Sequence, residues 1–304
     1  MTGYTTSGGA TGLGGRTLDL LQAANAGTSF PVSIAMNSPA LFCSGSVVQG
    51  ASIQPGNFLD QTAFGIYPPA AAQARLAAQQ GAIGSDSGNA IINAANAVTG
   101  TALAMNPLLK QAAGAIAFSK PFPNTALGDQ LKEVARIIGL NGQLGVSREV
   151  FYCSLGGFDT HGGQPYQQWY LLQQVSAALD AFYWATVQLN VADQVTAFTL
   201  SDFGRTLQPS GSGSDHGWGN HQLVLGGAVA GGHLYGTFPK PTNYANFNMS
   251  NNDFADTRGT MLPNISLAQY GGTLATWFGS SDTDLNTIFP TLSNFPVRNL
   301  GFMA

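Results

Sequence analysis

Apolar and polar positions change their spacing three times along the chain. Pro31–Ile53 alternates apolar with small polar residues, the period-two pattern of β-structure. From Pro69 to Gly142 the sequence is Ala-rich and the spacing becomes helical. PAAAQARLAAQQ is one helix, and a second runs from about Gly88 to Phe118 with breaks near Gly100 and Pro107. The third is ALGDQLKEVARIIGL, where Leu127, Leu131, Val134, Ile137 and Ile138 recur on one face and Asn141-Gly142 supplies the stop. Then comes an apolar run at Glu149–Leu155, a long helical stretch at Gln164–Leu189, and a second apolar run at Val195–Leu200. In the helix, Trp169, Leu172, Val175, Leu179, Phe182 and Val187 lie near one face. Strand, helix and strand predict a βαβ unit with a right-handed parallel crossover, both strands ending on the same sheet edge.

The remaining stretches are shorter. Arg16–Ala24 reads as a short amphipathic helix, and Gln222–Ala228 and His233–Phe238 as two short strands. Ser266–Gly279 reads as a helix with Ser266 at its N-cap, and Asp282 as the cap of a last helix that stops at Pro290. Residues 1–15 and the polar stretch Tyr244–Thr260 read as loops. No repeat of 20–50 residues occurs. These elements predict one α/β domain over residues 1–304, a mostly parallel sheet flanked by helices, with an Ala-rich helical insertion at about 69–142.

Composition adds a compartment and removes some partners. Only 9% of residues are charged, the net charge is −4 and no basic run exists, which argues against nucleic acid. No apolar stretch is long enough for a transmembrane helix. The opening MTGYTTSGG has neither the basic nor the apolar region of a signal peptide, so a leader is expected to have been removed or to lie outside this sequence. A polar, uncharged surface suits an extracytoplasmic protein. Cys153 lies inside the apolar run FYCSLG, and it and Cys43 are expected to be unpaired thiols.

Because charge is so sparse, its concentration in Val195–Gly236 is informative. That stretch holds His216, His221 and His233, together with Asp202, Arg205 and Asp215. Ligand crevices in open α/β sheets lie beyond the carboxyl ends of strands, where Asp202 ends one apolar run and Asp159-Thr160-His161 follows the other. A loop rich in Gly and Ser carries Asp215, His216 and His221. Carboxylates and imidazoles together are zinc ligands, and carboxylates also suit calcium, magnesium or manganese. Asp159, His161, Asp202, Asp215, His216 and His221 are therefore the candidate ligands of a divalent metal. Asp202 and His216 are candidate catalytic groups, with Arg205 either pairing with Asp202 or clamping an anion. His233, remote from any carboxylate in sequence, reads as structural. Ser201, Thr160, Ser212 and Ser214 are candidate nucleophiles that no spacing separates, and no Gly-x-Ser-x-Gly elbow occurs.

GGFDTHGGQ, SDFGRTL and SDHGWGNHQLVLGGAVAGGHLYG resemble the family known as domain of unknown function 1501, as do Arg258-Gly259 and the closing LPNISLAQYGGTLATWFG and FPTLSNF. Members are typically exported bacterial proteins, often with twin-arginine signals, so the resemblance implies a periplasmic or extracellular location. Their grouping with alkaline phosphatase-like and sulfatase-like proteins implies a parallel-sheet fold with a two-metal site at the strand ends. In that comparison Asp159 and His161 match an Asp-x-His motif, Asp202 a strand-end carboxylate, and Asp215, His216 and His221 an Asp-His-Gly region. The family's first strand, ending in a Gly-Gly-Asn-Asp-like turn, has no counterpart here, so a metal-binding Asp and the usual nucleophile region are expected to be missing. The implied activity is metal-dependent hydrolysis of a phosphate, sulfate or related ester, on a small or polymeric substrate. A non-catalytic surface protein that keeps the fold and a metal-independent serine carboxylesterase remain open alternatives.

Overall fold

The structure, a computed structural model, describes residues 10–56, 69–240 and 253–304. Of the predicted loops at residues 1–15 and 244–260, residues 1–9 and 244–252 lie outside the described residues. The first helix, α1 (Leu13–Leu20), begins three residues before the expected Arg16, because Leu13 and Leu18 both turn inward. It packs against a sheet whose central strand, β1 (Ser33–Met36), is buried at every position. β2 (Ala51–Ile53) lies on one side of β1 and β3 (Val150–Tyr152) on the other, both parallel to it, with Ile34 between Ala51 and Phe151. A parallel strand covered on both faces needs apolar or small residues throughout, which Ser-Ile-Ala-Met provides. Ser33 is satisfied inside by donating to the Cys43 carbonyl at 2.7 Å.

α2 (Pro69–Gly84) packs on α3 (Ala90–Ala115), and α3 on α4 (Ala126–Ile138). α3 runs through Gly100 and Pro107 without the expected breaks. An interior proline costs about 3 kcal/mol, but Met105 and Leu109 on either side of it are buried in the main core, each contributing roughly 1.5–3 kcal/mol. α4 begins at Thr125, whose hydroxyl accepts from Gly128 N at 3.1 Å, and buries the predicted face. Its expected stop is instead one further turn, α5 (Asn141–Leu144), closed by Gly145 at φ 65°.

α6 (Gln164–Gln188) follows β3 as expected. Its buried face is Leu171, Ala178, Ala181, Phe182 and Ala185, which leaves the predicted core residues Trp169 and Leu172 exposed. The next strand, β4 (Thr196–Phe198), departs from the predicted crossover. It pairs with β7 (Val224–Gly226), antiparallel, and not with β3. Gly226 permits this pairing, since a Cβ there would stand 2.6 Å from the Val195 carbonyl oxygen. Tyr152 of β3 and Phe198 of β4 both pack against Phe42.

Between β4 and β7, where a Gly/Ser loop was expected, β5 (Gly204–Ser210) and β6 (Gly213–Gly217) form an antiparallel hairpin. No strand forms at residues 233–238. α7 (Leu267–Phe278) has the predicted Ser266 cap, reciprocated by Gln269, and α8 (Asp282–Ile288) is capped by Ser281, one residue before the expected Asp282. Both helices close a second core of Leu13, Phe42, Leu285, Ile288 and Phe289. The architecture is mixed α/β, with a small parallel sheet and two antiparallel pairs among the described residues. Cys43 and Cys153 are both free, and burial pushes their thiols up to about 11 and about 12.

Candidate metal centre

Beyond β3 the chain turns tightly at Phe158–His161. Thr160 N donates to the Phe158 carbonyl (2.9 Å) and His161 N to the Asp159 carbonyl (3.2 Å). Thr160 anchors the turn: it is 1% exposed and its hydroxyl accepts from Gln168 of α6 at 3.1 Å. With Thr160 directed inward, Asp159 and His161 on either side of it are exposed.

The β5–β6 hairpin docks onto this turn and the start of α6. Gln164 N donates to the Ser212 carbonyl (3.0 Å), Gly163 N to Ser212 Oγ (2.8 Å), and Ser214 Oγ to Gln164 Oε1 (2.8 Å). At Gly213 a Cβ would lie 2.3 Å from the His161 carbonyl carbon, so only glycine permits the approach. Gly211, at φ 62°, makes the two-residue turn of the hairpin. Arg205 and His216 are directly opposed in the ladder, and opposed residues share a face. A register shift follows between Arg205 and Pro209, and the bulged residues Leu207 and Gln208 donate instead to the carbonyls of Gly259 (3.2 Å) and Arg258 (2.9 Å).

Four side chains converge as a result. Asp159 Oδ1 lies 2.7 Å from His216 Nε2, 2.9 Å from His161 Nε2 and 3.0 Å from Arg205 Nη2. The two Nε2 atoms are 3.1 Å apart. Two imidazole nitrogens and a carboxylate oxygen thus form a triangle on an exposed surface. A tetrahedral ion about 2.0–2.1 Å from each ligand separates them by roughly 3.3 Å, so the triangle fits a cation after opening by a few tenths of an ångström. All three side chains are more than half exposed, which leaves the solvent side open. Two imidazoles with one carboxylate favour zinc or a neighbouring transition metal over calcium or magnesium, which take oxygen ligands.

The surroundings hold this triangle in place. His216 stacks on Phe203 at 4.4 Å with an interplanar angle of 12°. Arg205 lies over the same ring at 5.1 Å, and it donates to the carbonyls of Ser214 and Phe158, both at 2.6 Å. The hydrogen bond to His216, helped by the charges of both histidines and the bond from Arg205, holds the Asp159 carboxyl below its ordinary range. Asp215 stands behind His161, with Oδ1 3.7 Å from Nδ1, and its Oδ2 accepts from Arg258 Nη1 at 2.7 Å.

Of the six residues expected to bind metal, Asp159, His161 and His216 meet and Asp215 lies beside them. Asp202 and His221 are not part of the group. Asp202 is exposed at a bend where Ser201 Oγ donates to the Phe203 carbonyl; of its influence, what registers is on the Tyr152 hydroxyl, which burial and then the Asp202 charge push up. His221 stacks on Phe238 at 5.3 Å, and His233 sits edge-on to Tyr235 at 6.4 Å. None of the four candidate hydroxyls bonds a histidine: Ser201 and Ser214 donate to Phe203 and Gln164, Ser212 accepts from Gly163, and Thr160 from Gln168. Arg205 is a strut for Asp159 and not a partner of Asp202. Arg258 is the residue that sequence reasoning left out of the site, although Arg258-Gly259 is among the stretches that carry the family resemblance.

The profile of the family described as Protein of unknown function (DUF1501) matches residues 70–288. No curated protein and no solved structure matches the chain.

Proposed function

The chain belongs to the DUF1501 family, and from that premise we propose that it is a metal-dependent hydrolase acting on a phosphate, sulfate or related ester. One observation carries the reading: Asp159 Oδ1, His161 Nε2 and His216 Nε2 stand within 3.1 Å of one another on an open surface. A divalent transition metal held there supplies Lewis acidity, lowering the pKa of a bound water and stabilising charge on the reacting group. The chain's own residues prepare the site. Arg205 keeps Asp159 ionised and aimed, Phe203 fixes the His216 ring, and Asp215 faces the far nitrogen of His161, as outer partners of metal ligands do. The serine-esterase alternative is the weaker reading, since no candidate hydroxyl bonds a histidine base.

An alkaline phosphatase-like fold and export from the bacterial cytoplasm belong to the same proposal. The parallel β2-β1-β3 sheet leading into the Asp159 turn supports the first. The scarcity of charged residues supports the second. No helix among the described residues is long and apolar enough to cross a membrane.

Elemental analysis of the purified protein, followed by assays on chromogenic phosphate, sulfate and carboxylate esters with and without chelator, tests the reading. The expected result is one zinc, manganese or iron per chain and turnover that chelation removes and metal restores. A protein that takes up no metal, or hydrolyses none of these esters with any metal, overturns it.

A further inference from the structure

Arg205 cannot hold an anion. Its guanidinium donates to two carbonyls and to Asp159, stands over the Phe203 ring at 5.1 Å, and is only 12% exposed. We infer that Arg258 is the oxyanion-recognising residue of the site, taking the phosphate or sulfate group of the substrate beside the metal triangle. The inference rests on the metal reading above.

Position is the first argument. Arg258 Nη1 bonds Asp215 Oδ2 at 2.7 Å, and the other oxygen of Asp215 lies 3.7 Å from His161 Nδ1. One carboxylate therefore separates the guanidinium from a ligand of the triangle. Availability is the second. The Arg258 side chain is 51% exposed, and among the described residues its Nη2 has no hydrogen-bond partner, while Nε stands 3.9 Å from Asp256. A guanidinium with free N–H groups in one plane matches two oxygens of a phosphate or sulfate.

The backbone beneath Arg258 is held on both sides, which is the third argument. Asp256 accepts from Arg258 N (3.0 Å), Thr260 N (3.1 Å) and Thr260 Oγ1 (2.9 Å). The carbonyls of Arg258 and Gly259 receive the bulged β5 amides of Gln208 and Leu207. Gly259 takes φ 82° where a Cβ would meet the Leu207 Cβ at 2.8 Å. The bulge and the turn together present Arg258 at a set place on the rim, so less ordering remains to be done when an anion arrives.

Charge is the fourth, and it sets an order of events. Asp159, Asp215 and Asp256 against Arg205 and Arg258 leave the bare site one unit negative; a divalent cation makes it one unit positive. An anion is therefore favoured only after the metal is in place.

Calorimetric titration of inorganic phosphate and of sulfate into the protein, with zinc bound and after chelation, tests this. Zinc content is measured on the same samples. The wild type is expected to bind phosphate or sulfate with zinc present, and at least tenfold more weakly without it. Arg258→Ala should weaken anion binding to the zinc-loaded protein at least tenfold, with unchanged zinc content and circular dichroism, and Arg258→Lys should fall between the two. If zinc is bound and Arg258→Ala still takes phosphate and sulfate as tightly as the wild type, or the wild type takes neither, the role of Arg258 is refuted while the metal reading stands. If the wild type binds no metal, both are refuted.

Discussion

β1 and the β5–β6 hairpin are both β-structure, yet they carry different burdens. β1 has four residues, all buried, flanked by parallel neighbours on both sides and with no titratable group among them. The hairpin is exposed along the outer half of β5 and presents Arg205, Asp215 and His216. It is fastened to α6 on one side and to the Arg258–Gly259 turn on the other, mostly by backbone and amide hydrogen bonds. Apolar burial holds the first region and polar contacts hold the second. Stability and chemistry are thus separable by mutation.

The largest separation should come from His216→Ala. Removing one of the three proposed ligands should abolish stoichiometric metal binding, while the half-exposed truncation should cost no more than about 1 kcal/mol in thermal unfolding when both proteins are compared free of metal. Metal analysis and calorimetry on one preparation check both halves; a variant that keeps its metal would show that His216 is not a ligand. Ile34→Ala should do the reverse. Ile34 is fully buried at the centre of β1, and its truncation should cost about 2–4 kcal/mol in denaturant unfolding while the folded fraction retains its metal.

Glu149, immediately before β3, allows a smaller and pH-dependent test. Burial pushes its carboxyl up to about 8, against the hydrogen bond from Asn141 that lowers it, and Oε1 has no partner. The folded chain therefore holds a proton that the unfolded chain releases near pH 4.5. Stability falls as pH rises from there and levels off above about 8. Glu149→Gln removes the penalty and should raise stability by about 1–3 kcal/mol at pH 8, with little change at pH 4. Equal effects at both pH values would mean the carboxyl is ionised in the fold. The smallest effect expected is that of His233→Ala. An exposed ring edge-on to Tyr235 should contribute less than about 0.5 kcal/mol and nothing to metal content, as differential scanning and metal analysis on that variant will show.

What the sequence made legible follows the range of the interactions. α4, α6 and α7 were readable because 3.6-residue spacing and, for α7, the Ser266 cap act within a few residues. The antiparallel β4–β7 pairing was not, because the apolar run Val195–Leu200 names no partner strand, and the close approach of Gly226 to Val195 is a contact distant in sequence. The hairpin escaped notice because Arg-Thr-Leu-Gln-Pro-Ser has no clean alternation; its order comes from the Gly211 turn and from docking on α6. Asp159, His161 and His216 stood out because charge is scarce, and the same signal drew in Asp202 and His221, whose directions depend on bends that no local pattern specifies. Arg205 looked like an anion clamp because its engagement arises only once the hairpin pairs.

The parallel register of Ser33 with Val150 also has a kinetic side. Everything from α2 to α5 lies between those two strands in the chain. Loop closure over that span adds only about 0.6 kcal/mol per doubling of length, a light burden at equilibrium, but contacts so distant in sequence form slowly. The intervening helices have local contacts and form first. During synthesis β1, buried at every position in the finished fold, emerges long before β3, its partner on one edge. The Asp159 turn follows β3 and the hairpin comes later still, so the surface that gathers Asp159, His161 and His216 is built from segments synthesised after both β1 and β3.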